Sequence, residues 1–430
     1  MRRAKASIAQ VIGNAGASAD MWQTVFDKMA SRLIRSGRLE VTMPDGSRRD
    51  YGPGGGYEAD IAIKDDATLR ALCMNPELAL GEGYMDGRIM IEGDDLDTLL
   101  RLLMSNLSTD FAPLWVRAVE WGRYVLRLPL MRNTRKSARA NVAHHYDISD
   151  DLYRLFLDED MQYSCAYFET PETGLAEAQA AKKAHIARKL QIEPGMRVLD
   201  IGCGWGGMAL TLARDFGAHV TGVTLSKNQL ATAKARAREA GLEDQLDFRL
   251  QDYRELAESF DRIVSVGMLE HVGAPHYAEY FNQVGKLLTA DGVALIHTIG
   301  RNAPPDVPSP WIDKYIFPGG YIPSLSELAV PVENAGLWYL DIEILRLHYA
   351  MTLRHWLERF DARIEDVRKM YDERFIRMWR FYLIACIVTF EVGRLGVFQL
   401  QIGPERNVVP LTRDYLYRDR TIPAAREAAE

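Results

Sequence analysis

The chain has 430 residues, of which 47% are apolar and 26% are charged, a composition typical of soluble globular proteins. At roughly 150 residues per domain, this length predicts two or three folded units rather than one. The net charge of −7 excludes a general nucleic-acid-binding protein, whose domains are usually basic.

The cysteines and the apolar runs favour a cytoplasmic protein. No CxxC pair occurs among the four cysteines, which predicts neither a zinc site nor a disulfide framework and fits a reducing compartment. Gln10 and Asn14 interrupt the apolar residues near the start, which argues against a signal peptide. The longest apolar run, Phe381–Phe390, is about half of the ~20 residues that a spanning helix needs, so it is predicted to be a core helix.

Residues 1–110 are predicted to form a small α+β domain. The segment from Met21 to Ile34 has the apolar spacing of a helix, and Pro44-Asp45-Gly46 is typical of a hairpin turn. The stretch that begins at Pro76 predicts a helix, a turn, a short strand and a further helix. We expect this domain to position lipid or the catalytic domain, because it leads into a basic connector.

That connector, residues 111–140, combines basic and aromatic side chains. Trp115, Trp121 and Tyr124 lie among seven basic residues and one acid, Glu120. The basic residues are Arg117, Arg123, Arg127, Arg132, Arg135, Lys136 and Arg139. Two interpretations stay open. One is a solvated helix face followed by a linker; the other is a contact with anionic lipid, where each basic residue adds about 1 kcal/mol and aromatic rings favour the interface.

Residues 141–430 are predicted to form an α/β domain. Five candidate strands alternate with helical stretches: MRVLDIG, HVTGVTL, LDFRLQD, DRIVSVG and VALIHTIG. Apolar strands that alternate with helices predict a parallel, doubly wound, Rossmann-like sheet. Ligands in such sheets bind beyond the carboxyl ends of the strands. Glu270 and His297 are each expected at such an end.

A glycine-rich loop follows the first of these strands. Gly202, Gly204 and Gly207 satisfy GxGxxG between a strand and a helix. A dinucleotide site normally carries an acid about 20 residues later, and the second strand lacks one. The acids lie instead at Asp200 and Asp252, an arrangement that suits the cationic S-adenosylmethionine better. A glycine turn required only for packing is the remaining alternative.

Seven motifs in order carry a resemblance to a known family: MQYSCAYF, VLDIGCGWGG, GVTLSKNQ, LQDYR, DRIVSVGMLEHVG, LIHTIG and HYAMTLRHW. The chain resembles the cyclopropane-fatty-acyl-phospholipid synthases and, more distantly, the mycolic acid cyclopropane synthases. The resemblance covers residues 141–395 and extends weakly into the first region. It implies a class I S-adenosylmethionine-dependent methyltransferase fold. It also implies methylene transfer, through a carbocation, across a cis double bond of an unsaturated phospholipid acyl chain.

The resemblance further implies a bound bicarbonate that acts as the base. The positions that match its ligands are Cys165, Glu270, His297, the Ile299 backbone and Tyr349. Taken singly, Cys165 and Tyr349 are typical core residues and His297 is typical scaffold. The joint occurrence of all of them favours a functional set. We expect Glu270 to accept a hydrogen bond from the hydroxyl of the anion, and His271 beside it to be structural.

The same resemblance implies a larger set of cofactor-binding residues: Tyr146, Tyr163, Ser164, Gly202, Gly204, Thr224, Leu225, Gln229, Asp252 and Tyr253. We add Asp200, which would neutralise the positive end of the cofactor, and Gln251 beside Asp252. Adjacent His144 and His145 do not share a helix face, so no metal site is predicted.

Aromatic side chains that could face a sulfonium or a carbocation by cation–π attraction are Tyr163, Phe168, Trp311, Tyr315, Phe317 and Tyr321. Most lie in an insertion at about 301–335. This insertion is interpreted either as packed structure or as a lid that lines an acyl channel.

Two rival functions share parts of this pattern. One is a fatty-acyl C-methyltransferase that makes methylene- or methyl-branched lipids; the other is a non-enzymatic lipid-binding module. The preferred interpretation is a cyclopropane synthase in the cytoplasm, peripherally associated with the inner membrane. A homodimer is possible for such enzymes, and the sequence does not specify it.

Overall fold

The computed structural model describes residues 19–107, 113–126 and 149–417. These residues divide into two compact units. The first comprises the described residues up to Arg123 together with Ser309–Trp311 and Tyr371–Val388, and the second comprises the rest. The first unit therefore draws two segments from late in the chain, which the sequence pattern alone did not indicate.

A four-stranded sheet forms the centre of the first unit, in the order β2-β1-β3-β4. Its strands are β1 (Gly37–Thr42), β2 (Arg48–Gly54), β3 (Glu58–Ile63) and β4 (Ile89–Ile91). The predicted hairpin is confirmed, because β1 and β2 are antiparallel and the Asp45 carboxylate accepts from the Ser47 amide at 2.8 Å in their turn. Strand β3, which was not predicted, pairs with β1 in parallel.

Helices surround this sheet. They are α1 (Ala19–Leu33), α2 (Asp66–Met74), α3 (Pro76–Met85), α4 (Leu96–Ser105) and, after the undescribed residues 108–112, α5 (Leu114–Val125). The helix predicted between Met21 and Ile34 is thus confirmed as α1. Aspartates begin two of the helices, since Asp65 accepts from the Thr68 amide and Asp95 from the Thr98 amide.

The second unit is built on a seven-stranded sheet in the order β10-β11-β9-β8-β5-β6-β7. Its strands are β5 (Arg197–Ile201), β6 (His219–Thr224), β7 (Leu246–Leu250), β8 (Phe260–Val266), β9 (Leu288–Arg301), β10 (Trp338–Leu345) and β11 (Leu395–Gly403). Strands β5 to β9 are the five predicted ones and pair in parallel. Strands β10 and β11, which were not predicted, extend the sheet in antiparallel fashion.

Helices cover both faces of this sheet. In chain order the helices of this unit are α6 (Asp150–Phe156), α7 (Leu175–Lys189), α8 (Gly207–Phe216), α9 (Lys227–Glu239), α10 (Tyr277–Leu287), α12 (Leu325–Asn334), α13 (His348–Ala362) and α14 (Ile364–Met370). Two further helices, α11 (Pro310–Tyr315) and α15 (Glu373–Glu391), are divided between the two units, and most of α15 belongs to the first. The run Phe381–Phe390 lies inside α15. None of the described helices is both long enough and apolar enough to cross a bilayer.

Neighbouring residues along a strand point to opposite faces of the sheet and pack into two different hydrophobic cores. Leu199 and Ile296 pack with α10 and α12, whereas Val198 and Leu295 pack with α7, α8 and α9. Because side chains alternate along a strand, Asp200 shares the face of Val198 and His297 shares the face of Leu295. Both polar residues therefore project from the face that α7 covers.

His297 was expected at the end of its strand, and this expectation is wrong. Strand β9 continues to Arg301, because Ile299 pairs with Val397 of antiparallel β11. His297 nevertheless lies opposite Val266, the last residue of β8, and so at the level where the parallel strands end. Glu270 follows β8 in a 3₁₀ turn, Leu269–His271, rather than in an extended segment, so the side chains of Glu270 and His271 do not alternate as they would along a strand.

Candidate active site

Glu270 and Ile299 are joined directly. Oε1 of Glu270 accepts a hydrogen bond from the Ile299 amide at 2.6 Å, which fixes the carboxylate beside β9. The turn that carries Glu270 is held from the other side, because its carbonyl accepts from the Tyr321 amide at 2.9 Å. The predicted Ile299 backbone group thus has Glu270 as its immediate partner.

The second oxygen of Glu270 is inaccessible to solvent and has no hydrogen-bond partner in the part of the chain that the structure describes. Burial raises the pKa of Glu270 to about 7, although the hydrogen bond from the Ile299 amide acts to lower it. A buried carboxylate oxygen of this kind would be stabilised by any donor that a ligand brings to it.

His297 presents a comparable unpaired atom. Its Nδ1 lies 3.1 Å from the side-chain Nε2 of Gln399 on β11. An amide nitrogen only donates, so Nδ1 accepts and Nε2 carries the hydrogen. Nε2 is buried and unpaired among the described residues. Burial, together with the charges of Lys182 and Lys189, lowers the pKa of His297 to about 3, so the ring is a neutral donor.

Cys165 is held in a buried segment that leads from α6 to α7. The next residue, Ala166, donates its amide to Oγ1 of Thr352 at 3.0 Å, and the Phe168 amide donates to Nδ1 of His348 at 3.0 Å. Both partners lie on α13. Burial raises the pKa of the Cys165 thiol, which therefore stays protonated and is suited to hydrogen bonding rather than to nucleophilic attack.

Tyr349 lies on the same helix, one turn before Thr352. Its buried ring meets Trp356 at 5.9 Å and Phe390 at 4.9 Å between centroids. The helical spacing from 349 to 352 to 356 puts these side chains on one face. The predicted set therefore falls into two groups that the fold positions separately, one around Glu270 with His297, the other on the Cys165 segment and α13.

Aromatic rings line the second group. Tyr163 stacks on Trp356 at 5.2 Å between centroids and meets Tyr153 at 5.1 Å. Other predicted aromatics have structural roles. Tyr321 is buried with its hydroxyl donating to Glu327 at 2.7 Å, and Trp311 is buried in the first unit, where its Nε1 lies 3.3 Å from Sδ of Met85.

The glycine loop has the geometry that a close ligand requires. Gly202 and Gly204 have φ of 81° and 53°, values that favour glycine. A Cβ at Gly204 would meet nothing within 4 Å, so open space adjoins the backbone there. Gly206, with φ of 85°, precedes the N-terminus of α8, where free amides attract an anionic group such as a carboxylate.

Asp200, four residues into β5, lies just below this loop. Its Oδ2 is buried without a hydrogen-bond partner among the residues that are described. Burial raises the pKa of Asp200 to about 7, and the charge of Lys182 opposes this shift. An orphaned acid beside a glycine loop fits a cationic ligand, which supports S-adenosylmethionine over a dinucleotide.

The end of β6 forms a hydrogen-bonded turn. Oγ1 of Thr224 donates to Oε1 of Gln229 at 3.1 Å and accepts from the Ser226 amide at 3.1 Å. The carbonyl of Thr224 accepts from the Gln251 amide at 3.2 Å, which links β6 to the end of β7. Leu225 lies half-buried inside this turn. The predicted cofactor residues from two strands thus come together at one edge of the sheet.

Asp252 is buried and already has a cationic neighbour. Its two carboxylate oxygens accept from Nε of Arg254 at 2.9 Å and from Nη2 at 2.6 Å. Tyr253 between them packs its ring on Tyr280 at 5.4 Å. Ser164 accepts a bond from Lys182 at 2.8 Å. Tyr146 lies outside the described residues, as do His144 and His145.

Sequence reasoning missed several residues that organise this site: Gln399, Lys182, Thr352 and Arg254. A lysine in a helix is normally read as solvent-exposed, and nothing in the local sequence shows that Lys182 is fully buried. Within the ranges that the structure covers, no cluster of histidine, cysteine or acid side chains could hold a metal ion.

Comparisons with known proteins cover most of the chain. The family model for mycolic acid cyclopropane synthetase matches residues 133–400, and a domain of unknown function matches residues 22–111. The cyclopropane-fatty-acyl-phospholipid synthase of Escherichia coli K12 is 38% identical over 84% of this chain and 94% of that relative. A probable fatty acid methyltransferase of Pseudomonas putida is 36% identical over 88% of this chain and 96% of that relative.

Solved structures agree with the fold. The mycolic acid cyclopropane synthase CmaA1 complexed with SAH and CTAB is 35% identical, with a TM-score of 0.58 over 61% of this chain and 97% of that one. The predicted class I methyltransferase fold and the predicted class of enzyme, an S-adenosylmethionine-dependent methyltransferase, are confirmed. The non-enzymatic alternative is therefore set aside. The chain belongs to the mycolic acid cyclopropane synthetase family.

Proposed function

We propose that the protein is a cyclopropane fatty acid synthase that acts on unsaturated phospholipid. The observation that carries this proposal is a matched pair of orphaned atoms, the acceptor Oε2 of Glu270 and the donor Nε2 of His297. Bicarbonate, which has both a hydroxyl donor and anionic acceptors, is chemically suited to that pair. The cyclopropane-fatty-acyl-phospholipid synthase from Escherichia coli supports the choice of substrate.

When bound, S-adenosylmethionine supplies an electrophilic methyl group and bicarbonate supplies the base. The overall change breaks one S–C bond, forms two C–C bonds across the former double bond and releases one proton. His297 would hold the anion by donating from Nε2, and Glu270 would accept a hydrogen bond from the hydroxyl of the anion at Oε2. Asp200, on the same sheet face, offers its carboxylate to the positive end of the cofactor.

The same residues must exclude water, which would otherwise trap a carbocation in the acyl chain. The stacked rings of Tyr163 and Trp356 and the buried ring of Tyr349 provide an apolar wall. Their faces can also stabilise positive charge by cation–π attraction. The protonated Cys165 thiol donates to the Ala166 carbonyl at 3.3 Å, and it would have to leave this bond to donate to an anion.

The test is a product assay. Purified protein, S-adenosylmethionine and vesicles of unsaturated phospholipid should yield acyl chains heavier by one methylene, with upfield ring protons in the NMR spectrum. Glu270→Gln should abolish most of this product, whereas Glu365→Gln, which removes an exposed carboxylate, should not. The absence of any heavier product would refute the proposal.

A fatty-acyl C-methyltransferase is the second candidate, favoured by the Pseudomonas putida relative. It would use the same cofactor and acyl chain and differ only in which proton leaves. A methylene-branched product has the same mass as the ring, so vinyl protons in the NMR spectrum would identify it. A methyl-branched alkene, formed when a proton leaves the chain instead of the new methyl, also has this mass, and a branch-methyl signal in the NMR spectrum would identify it.

We further propose that the protein works in the cytoplasm as a peripheral protein of the inner membrane. Helix α5 supports this, because Trp121 is 69% exposed, Val119 60% and Trp115 40%, with Arg117 exposed beside them. Exposed rings with arginines fit an anionic bilayer surface. Trp121→Ala should weaken flotation with anionic vesicles, whereas Trp338→Ala, at 51% exposure elsewhere, should not. Equal losses would contradict a role for α5.

A homodimer is a separate proposal, which follows from the resemblance alone. Light scattering of the purified protein, with and without vesicles, would test it. A monomer under both conditions would exclude a dimer as the working form.

A further inference from the structure

Helix α7 has an unusual buried face made of polar side chains. Gln179 and Lys182, one turn apart, are both fully buried and both point at the segment that carries Cys165. The Gln179 amide donates to the Ser164 carbonyl at 2.9 Å. Lys182 Nζ donates to Oε1 of Gln162 at 2.6 Å and to Oγ of Ser164 at 2.8 Å. The cost of burying an ammonium indicates that this arrangement has a role beyond packing.

The same lysine reaches the start of the glycine-loop helix through Gln162. The Gln162 side chain lies so close to Gly207 that a Cβ there would be 2.3 Å from its Nε2. Gln162 also donates to Asp160 at 3.0 Å. Lys182 therefore ties two parts of the site together, the Cys165 segment and the helix that follows Gly202 and Gly204.

Charge adds to this geometry. Burial lowers the pKa of Lys182 to about 8, so it stays largely protonated at neutral pH. Its charge lowers the pKa of Asp200, of Cys165 and of His297. The titratable groups that face Lys182 from the surrounding elements are Asp158, Asp160, Lys183, Cys165, Asp200 and His297.

We infer that Lys182 is a positioning residue of this active site, which anchors the Gln162–Ser164 loop and favours the anionic form of Asp200 that a cationic cofactor would meet. Without this ammonium, Asp200 would hold its proton to higher pH and would attract a sulfonium or ammonium less strongly at pH 7. Loss of the anchor would also loosen the loop that positions Cys165. The inference concerns cofactor binding, so it does not depend on which lipid product forms.

The decisive experiment measures the dissociation constant of S-adenosylmethionine against pH by calorimetry, in wild type and in Lys182→Met. The ratio of the two constants cancels the ligand's own titration. If the pKa of Asp200 rises by about one unit, the ratio should be about fivefold at pH 7. The ratio should fall towards one by pH 9, where Lys182 of the wild type has lost its charge.

Three variants separate charge from packing. Lys183→Met removes the neighbouring lysine, whose partner Asp160 keeps an ion pair with Arg236, and should leave the dissociation constant at pH 7 unchanged, because Lys182 keeps its charge there. Gln162→Met removes one anchor but keeps the charge, so it should lower turnover without a pH-dependent change in binding. In an Asp200→Asn background, Lys182→Met should add no pH-dependent effect on cofactor binding. The double variant buries neither charge, so it can still be measured if Lys182→Met alone folds poorly.

A ratio that is constant from pH 6 to pH 9, in a variant that unfolds as cooperatively as the wild type, would overturn the inference. Persistence of the pH-dependent effect in the Asp200→Asn background would do the same, because Lys182 would then act through another group. Failure of the product assay with intact, pH-dependent cofactor binding would count against the proposed synthase activity alone.

Discussion

His297 and Gln399 meet across two antiparallel strands, with Nδ1 of the imidazole 3.1 Å from the amide Nε2. This bond fixes the tautomer that leaves a hydrogen on Nε2, the atom proposed to hold the anion. Gln399→Leu should let the ring take either tautomer. We expect turnover to fall about tenfold, with little change in the dissociation constant of S-adenosylmethionine.

Gln401 provides the matched control, because it lies on the same face of β11 two residues later and is equally buried. It donates to the Lys189 carbonyl and does not contact His297. Gln401→Leu should reduce stability but, in the fraction that folds, keep the turnover of the wild type. If both variants lose turnover equally, the tautomer argument is wrong.

Glu270→Gln tests the acceptor side of the proposed anion site. A glutamine cannot accept at both positions as the carboxylate does, so turnover should fall about 100-fold while cofactor binding stays within about twofold. The raised pKa of Glu270, about 7, also predicts that wild-type turnover rises as pH increases through 7, because the ionised form is the acceptor. The variant should lack that rise. Equal losses in turnover and in cofactor binding would show that Glu270 has another role.

The same carboxylate should destabilise the folded protein. Its pKa is raised in the folded state, from about 4.5 to about 7, so its contribution to stability is lost as pH rises across that interval. Glu270→Gln should therefore raise the free energy of unfolding at pH 8 by about 1–3 kcal/mol, and by less at pH 5. Denaturant unfolding at the two pH values measures this, with Glu365→Gln as the exposed control. A variant that is less stable at pH 8 would contradict the burial argument.

Periodicity and motif order were sufficient for the parallel part of the fold. Strands β5 to β9 and the glycine turn follow from apolar runs and from φ values that only glycine adopts easily. The antiparallel strands β10 and β11 were missed. In β10, half-buried residues replace the apolar run that marks a parallel strand, and pairing with β11 depends on partners far away in sequence.

The hydrogen bonds that support the site were also beyond sequence reasoning. The bond between Glu270 and Ile299 joins the turn after β8 to the interior of β9, and the pairing of these two strands brings the residues together. Lys182 shows the limit most clearly. Charged residues are read as solvent-exposed by default, and its burial results from acceptors on a segment 18 residues earlier.

Gly207 offers a steric test of the contact between the Cys165 segment and α8. A Cβ there would lie 2.3 Å from Gln162 and 2.5 Å from Asp160, and both side chains are held by lysines of α7. Gly207→Ala should lower the free energy of unfolding by about 1–3 kcal/mol and weaken S-adenosylmethionine binding. Gly122→Ala, in open space on α5, should instead stabilise by up to about 1 kcal/mol. Denaturant unfolding and calorimetry of both variants would decide, and an unaffected Gly207→Ala would mean that the contact gives way easily.

Glu343 is the carboxylate partner of two buried side chains of α7, His185 and Lys189. Its carboxylate lies 2.7 Å from Nε2 of His185 and 2.5 Å from Nζ of Lys189, which is fully buried. Burial alone would raise the pKa of Glu343, but these two partners outweigh it and lower the pKa to about 2. The stability that Glu343 contributes is therefore complete above its unfolded pKa and is lost as pH falls towards 2.

Glu343→Gln should leave the Lys189 ammonium buried without a counter-charge, because the amide keeps the shape of the carboxylate but not its charge. We expect the free energy of unfolding to fall by about 3–5 kcal/mol at pH 7, the usual cost of breaking a buried ion pair from one side. The difference from wild type should shrink below pH 4, because the carboxylate then takes up a proton in the unfolded chain but keeps its charge in the folded protein until the pH nears 2. Glu358→Gln, which alters a side chain that is 74% exposed, should change stability by less than about 0.5 kcal/mol. A Glu343→Gln variant as stable as wild type at pH 7 would mean that Lys189 is neutral in the folded protein.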